Sequence, residues 1–335
     1  MRIAHIMIFE KFNRRYIEFV DTHFNINDHV FYIIGTNYAN YDVGGLKQVV
    51  LVNSYPGVVK MFFQLIGVKK IFLHGLWHRG FLRLLLGQPW LIPKCYWMMW
   101  GGDFYYHKRE SAVKKKLIKK IRHFVSLVEG DFELVKKWYG ASGTFHQSIL
   151  YTYLSADEFE VPVTGTETSL IRILVGNSAD PSNNHVEVFQ LLQAHLQHIE
   201  EVVVPLSYGN SDYANEVIEA GRTLFGDKFT PLTGLISLEA YRAMLRHTDI
   251  AVFNHNRQQG LGNLIALLSY GKKVYLRPDV TTWHTFTQLG LALFDVKTFE
   301  PKLLDASLQK KNVALMKRYF SAAQYREQLA KLFFE

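Results

Sequence analysis

Short apolar runs separated by longer mixed segments organise the whole chain. In the first half they cover residues 3–9, 30–34, 47–52, 71–73, 95–100 and 124–128. Most stop at small or polar residues: Gly35-Thr36-Asn37, Asn53-Ser54, His74-Gly75, Gly101-Gly102-Asp103 and Glu129-Gly130-Asp131. Strands buried on both faces read as continuous apolar runs, and parallel neighbours need long crossovers. This half therefore predicts βαβ units and a parallel sheet. Residues 155–169 are polar and turn-rich, with Asp157, Glu158, Pro162, Gly165 and Thr166, and read as a linker. A second series follows at 169–175, 202–205, 229–231, 250–253 and 273–276, with helices starting near Asn184, Asp212, Ser237 and Gly262. Ser237 is placed to cap its helix, although Ala240 stands where a capping box needs Glu or Gln. Residues 307–335 read as helical and are expected to pack back toward the first half. The pattern predicts an α/β chain of two Rossmann-like domains facing a cleft, 1–160 and 166–306, with that helical segment after them.

Composition narrows the class. A chain of 335 residues suits two domains, and 48% hydrophobic against 20% charged residues excludes disorder. The net charge of +8 favours an anionic partner: a nucleotide, a phospholipid or nucleic acid. Cys95 is the one cysteine, which excludes an internal disulfide and multi-cysteine zinc sites and fits a reducing cytosol. The opening run lacks the length and cleavage site of a signal peptide, and no uncharged apolar stretch is long enough to predict a membrane span.

Candidate chemistry sits where runs end. In Gly176-Asn177-Ser178-Ala179-Asp180-Pro181-Ser182-Asn183-Asn184-His185 a strand enters a small, polar loop and a helix leaves it. Loop amides and a helix N-terminus suit a phosphate, although the same residues are common turn formers. The second case is Asn254-His255-Asn256-Arg257-Gln258-Gln259-Gly260-Leu261-Gly262-Asn263 ahead of an apolar helix. Gly260 and Gly262 admit close backbone approach, and Arg257 can fork onto a diphosphate. The dinucleotide fingerprint and the Walker lysine are both missing, which disfavours a nicotinamide-dependent enzyme. Tyr208, after 202–205, is either a base-stacking ring or a rim tyrosine. In the first half His74 and Asp103 stand at strand ends as candidate general bases, and Trp77 and Trp100 as a ring platform or as core.

No His-Glu-x-x-His and no Asp-x-Asp appears, so no metal is expected. Arg257, amides and helix dipoles would neutralise a diphosphate leaving group. A basic run, Lys108, Arg109, Lys114, Lys115, Lys116, Lys119, Lys120 and Arg122, is interleaved with Val113, Leu117 and Ile121 at helical spacing. It reads either as an anionic-membrane surface or as a solvated face over a core stripe. No nucleic-acid-binding module is present, so no nucleic-acid partner is expected.

His74-Gly75, Trp100-Gly101 with Asp103, Val175-Gly176-Asn177-Ser178 through Asp180, Ser182-Asn183 and His185, the run 202–205 with Tyr208, and Arg257-Gln258-Gln259-Gly260 with Gly262 together carry a resemblance. In these stretches the chain resembles the bacterial TDP-N-acetylfucosamine:lipid II N-acetylfucosaminyltransferases, the 4-alpha-L-fucosyltransferase family or glycosyltransferase family 56. The resemblance implies a metal-independent GT-B glycosyltransferase, peripheral on the cytoplasmic face of the inner membrane. The implied donor is a TDP-sugar carrying a 4-acetamido-4,6-dideoxygalactose-type sugar. The implied acceptor is an undecaprenyl-diphosphate-linked saccharide of enterobacterial common antigen or an O-antigen. Residues 1–160 would form the acceptor and membrane domain and 166–306 the nucleotide-sugar domain. Gly176, Asn177, Ser178, Ser182, Asn183, Tyr208, Arg257, Gln258, Gln259, Gly260, Gly262 and Asn263 would bind the donor, with His74 and Asp103 near the acceptor. The competing reading is a non-catalytic, membrane-attached nucleotide-binding assembly protein.

Overall fold

A computed structural model describes residues 2–35, 42–150 and 170–335. The chain divides into two compact units, Met1–Tyr153 with Ala322–Glu335, and Leu154–Ser321. The expected linker, residues 155–169, lies outside the described residues.

The first unit is a seven-stranded parallel sheet in the order β3-β2-β1-β4-β5-β6-β7. Its strands are β1 (Ile3–Ile8), β2 (His29–Ile34), β3 (Val49–Val52), β4 (Lys70–His74), β5 (Cys95–Met98), β6 (His123–Ser126) and β7 (Thr144–Gln147). Its helices are α1 (Asn13–His23), α2 (Tyr55–Ile66), α3 (Arg79–Leu86), α4 (Ala112–Ile118) and α5 (Glu129–Tyr139). The apolar runs become strands because both faces are covered; every residue of β2 and β5 is buried. Alternate residues then serve two cores. Ala4, Ile6, Leu73, Trp97 and Phe124 join the cluster built with α2, α3, α4 and α5. His5, Phe31, Phe72 and His74 face the other way, where His5 meets Tyr16 of α1 and Phe333 near the chain end.

The second unit is a six-stranded parallel sheet in the order β10-β9-β8-β11-β12-β13. Its strands are β8 (Ile171–Val175), β9 (Ile199–Pro205), β10 (Phe229–Leu232), β11 (Ile250–Phe253), β12 (Lys273–Leu276) and β13 (Phe294–Asp295). The helices are α6 (His185–Gln193), α7 (Ser211–Phe225), α8 (Leu238–His247), α9 (Leu261–Ser269), α10 (Thr281–Gln288) and α11 (Ala306–Tyr319). Ser237 does cap α8, accepting from the Ala240 amide at 3.1 Å. The strand order reverses between β1 and β4 in one sheet and between β8 and β11 in the other. At such a switch point the loops leaving two neighbouring strands part, which opens a crevice at their carboxyl ends.

The C-terminal helical segment divides between the two units. Helix α11 stays on the second unit: Asn312 exchanges hydrogen bonds with the Ala292 backbone at 2.8 and 3.1 Å. From Ala322 onward α12 (Ala322–Phe334) belongs to the first unit. Lys70 donates to the Leu332 carbonyl at 2.7 Å, and Tyr325 to the Leu150 carbonyl at 2.7 Å. Phe333 closes the aromatic face of the sheet against Phe72.

Candidate active site

In the second unit three loops leave the carboxyl ends of β8, β9 and β11 and meet at the switch point. Gly176 extends β8, donating its amide to the Val252 carbonyl of β11 at 3.0 Å, and turns with φ +67°. A β-carbon there would collide with the His185 ring, so the chain turns tightly over that ring. Asn183 locks the loop from inside. Its Oδ1 accepts the Asn177 amide at 3.2 Å, and its Nδ2 donates to the carbonyls of Ser178 and Asp180 at 3.1 and 3.0 Å. The β9 loop docks alongside: the Ala179 amide donates to the Tyr208 carbonyl at 2.8 Å, and the Asn210 amide to the Ala179 carbonyl at 2.9 Å.

The third loop reaches across from β11. The Asn256 amide donates to the Ser182 carbonyl at 3.1 Å, and the Ser182 hydroxyl to Gln259 Oε1 at 3.2 Å. Arg257 pairs with Asp180 at 2.8 Å, both largely buried. Gly260, with φ +63°, begins α9 and packs on Asn177; a β-carbon would come within 3.2 Å of Asn177 Cγ. Asn177 Nδ2 donates to the Tyr208 hydroxyl at 3.2 Å, while the Tyr208 ring remains 53% exposed.

Ten of the donor residues chosen from the sequence thus belong to one network or its wall: Gly176, Asn177, Ser178, Ser182, Asn183, Tyr208, Arg257, Gln258, Gln259 and Gly260. Gln258 contributes its carbonyl, which accepts from Arg257 at 3.3 Å. Gly262 and Asn263 lie in the first turn of α9, and Asn263 is turned onto the Tyr241 hydroxyl of α8 at 2.7 Å. The buried polar atoms that the network leaves with no hydrogen-bond partner among the described residues include Asn177 Oδ1 and Gln259 Nε2. Buried polar atoms are rarely left that way, and an absent ligand is one reason for it. The arrangement offers loop amides, the N-terminus of α9, a guanidinium and an exposed ring, the set a nucleoside diphosphate needs.

Sequence reasoning left three contributors outside its site. Asp180 holds both Arg257 and Ser182; its own position in the loop was the available signal. Gly209 lies against the Ala179 backbone where a side chain would clash. Asn184, with φ +51°, clamps the third loop by donating to the Asn254 carbonyl at 2.8 Å. Asn is among the few residues that adopt this backbone readily, so Asn-Asn-His was a legible turn.

In the first unit the two candidate bases separate. His74 is buried on the α1 and α12 face, with Nε2 3.3 Å from His5 Nδ1. Burial pushes its pKa down to about 3, so it is a poor proton acceptor at neutral pH. Alternation along β4 turns the His74 ring to the side of the sheet opposite Asp103. Asp103 lies on the other face, also buried. Its Oδ2 accepts from the Leu76 amide at 3.0 Å and from Trp97 Nε1 at 2.8 Å, which ties the loops after β4 and β5 together. Its Oδ1 has no partner among the described residues. Burial raises the carboxyl to about 7, against the pull of Lys114 and these hydrogen bonds. The Trp77 ring lies across Gly75 and Gly102 and meets Trp100 edge to face at 6.1 Å between centroids.

The basic run does not form an apolar face open to a membrane. Helix α4 is short, and Leu117, Ile118 and Ile121 are fully buried in the core, so the stripe is structural. Among the described residues no group of three or more His, Cys, Asp or Glu side chains is placed to hold a metal ion. No described helix is long and apolar enough to cross a membrane.

Two parallel-sheet α/β domains, the second with loops converging at its switch point, have the GT-B architecture. A model of the family described as 4-alpha-L-fucosyltransferase, glycosyl transferase group 56, matches residues 31–332, so the chain belongs to that family. Solved structures share the fold. HepE of Anabaena in complex with UDP and glucose is 9% identical, with a TM-score of 0.70 over 99% of each chain. The UDP-forming alpha,alpha-trehalose-phosphate synthase of Burkholderia vietnamiensis is 9% identical, with a TM-score of 0.65 over 99% of each chain. The N-terminal domain of Candida albicans trehalose-6-phosphate phosphatase is 12% identical, with a TM-score of 0.66 over 98% of this chain and 96% of that one.

Proposed function

We propose that this glycosyltransferase moves a 4-acetamido-4,6-dideoxygalactose-type sugar from a TDP-sugar to an undecaprenyl-diphosphate-linked saccharide, in building a surface polysaccharide such as enterobacterial common antigen or an O-antigen. The observation that carries the donor half is the meeting of the three loops around Asn177, Arg257 and Gly260. HepE and the trehalose-phosphate synthase, which share the fold, are described with UDP or as UDP-forming, which supports a nucleotide-sugar donor here. The choice of sugar and acceptor rests on the resemblance of the chain's motifs to the N-acetylfucosaminyltransferases.

In this reading the acceptor hydroxyl attacks the anomeric carbon as the bond from that carbon to the diphosphate breaks. TDP leaves with its charge met by Arg257, the Ser178 amide and the start of α9, which makes the transfer metal-independent. Asp180 holds Arg257 until the diphosphate takes its place. If configuration inverts, the hydroxyl proton passes to Asp103, whose proton affinity suits neutral pH and whose Oδ1 is uncommitted.

Attachment to the cytoplasmic face of the inner membrane completes the reading, with the contact moved from α4 to α2. Tyr55, Val59, Phe63 and Ile66 line one side of α2 and are 72%, 37%, 71% and 52% exposed. Lys60 stands on the same helix, and the net charge of +8 favours an anionic lipid surface. Assay of a TDP-sugar panel with the lipid-linked acceptor tests the chemistry: transfer of the deoxyamino sugar supports it, and nucleotide binding without any transfer favours the assembly protein. Flotation with anionic vesicles tests the surface. Serine at both Tyr55 and Phe63 should abolish binding without lowering stability, and full binding by that variant defeats the assignment.

A further inference from the structure

A second cationic site lies in the first unit, apart from the donor loops. Helices α3 and α4 enclose a cavity of about 230 Å³ beside the carboxyl ends of β4 and β5. Arg79 and Arg83, four residues apart on α3, reach it from one side, and Lys114 of α4 from the other. Neither guanidinium has an ion-pair or hydrogen-bond partner among the described residues. Like charges at this helical spacing repel and destabilise the free protein. Lys114 is only 6% exposed; its ammonium is 2.8 Å from Glu110 and 5.8 Å from the centre of the Trp77 ring. Three cations thus stand beside Glu110, with the Asp103 carboxyl also within the field of Lys114, and Ser111 adds a hydroxyl to the wall.

Arginines held without partners around a concave site suit a multiply charged oxyanion, because each guanidinium can fork onto two of its oxygens. The volume falls below that of pockets that enclose whole drug-sized ligands, so the cavity fits a head group. Leu76, Leu82 and Val113 line the same cavity. Helix α3 also packs on α2 through the Phe62–Phe81 stack, at 5.5 Å between ring centroids. The exposed aromatic side of α2 is therefore one helix away from the arginines. An anion attached to an apolar tail matches both features, whereas a free nucleotide matches only the cationic one.

We infer that Arg79, Arg83 and Lys114 form the subsite for the diphosphate of a lipid-diphosphate acceptor. The assignment rests on the proposed function for the identity of the acceptor, and on the cavity alone for the anion.

The test titrates inorganic pyrophosphate and farnesyl diphosphate, by calorimetry, into the full chain carrying Arg257→Ala, which weakens binding at the donor site. Adding Arg79→Ala and Arg83→Ala should weaken both ligands at least tenfold. With Arg257 intact, the double variant should bind TDP as the native protein does. It should raise the KM for the lipid-linked acceptor while the KM for the donor is retained. Because both arginines are exposed, their removal should leave the melting temperature unchanged or higher. Equal pyrophosphate affinity with and without Arg79 and Arg83 would overturn the subsite, as would a parallel loss of TDP binding. If the double variant loses pyrophosphate while the native protein transfers no sugar from any TDP donor, the anion site stands and the proposed reaction falls.

Discussion

Replacing Asp103 by Asn separates what this residue does for the fold from what it does for the reaction. The amide keeps an oxygen to accept from the Leu76 amide and Trp97 Nε1. It removes the charge whose burial raises the carboxyl to about 7 from an ordinary value of 3.8. Between those two values the folded protein holds a proton that the unfolded chain has released, so stability falls as pH rises through the window. A shift of about 3 units corresponds to about 4 kcal/mol lost by pH 8 relative to pH 4. The Asn variant lacks this term. Urea unfolding of both proteins from pH 4 to 8 should show the variant gaining on the native protein by a few kcal/mol, mostly between pH 5 and 7. Other groups titrate in both proteins and cancel in the difference. If Asp103 also accepts the acceptor proton, the stabilised variant should lose turnover about 100-fold or more. A constant stability difference across the range would refute the account of the buried carboxylate. Undiminished turnover would remove Asp103 as base.

Arg257→Ala should weaken TDP binding by about 10- to 150-fold, the range for losing one charge-assisted contact of about 1.5–3 kcal/mol, read by calorimetry. Gly260→Ala forces a side chain into a backbone with φ +63° and onto Asn177. It should cost about 1–2 kcal/mol in urea unfolding and lower TDP affinity, and native values for both would contradict the close approach of the two loops. His74 and His255 are pushed down to about 3 and His185 to about 4 by burial, so they stay neutral in the fold and charge on unfolding below about 6.5. Their stabilisation is complete above that pH and drains away as pH falls, so the melting temperature should drop steadily from pH 7 to 5. A melting temperature unchanged over that range would contradict their burial as neutral groups.

Much of the architecture was legible because parallel strands covered on both faces leave unbroken apolar runs. The runs at 250–253 and 273–276 are the strands observed. Strand β7 escaped notice because Thr-Phe-His-Gln at a sheet edge is neither apolar nor alternating, and β13 because two residues carry no period. The donor loops were legible as chemistry, since glycine, asparagine and arginine mark strand ends, but their mutual contacts were not. Asp180 looked like a turn residue until Arg257, seventy-seven positions away, was seen on it at 2.8 Å. The basic run stayed open between two readings for a related reason. Helical spacing of Val113, Leu117 and Ile121 describes a core stripe and a membrane stripe equally well, and only burial distinguishes them. His74 could not be judged from its place at a strand end, because its face of the sheet depends on the register of β4.

The central claim is that the nucleotide sugar binds at the β8–β11 switch point of the second unit. A crystal structure with TDP bound tests it most directly. The account predicts the diphosphate at the start of α9, within hydrogen-bonding distance of the Ser178 amide and of Arg257, with Arg257 drawn off Asp180 and the Tyr208 ring near the base. A diphosphate held elsewhere, with the Arg257–Asp180 pair intact, would contradict it.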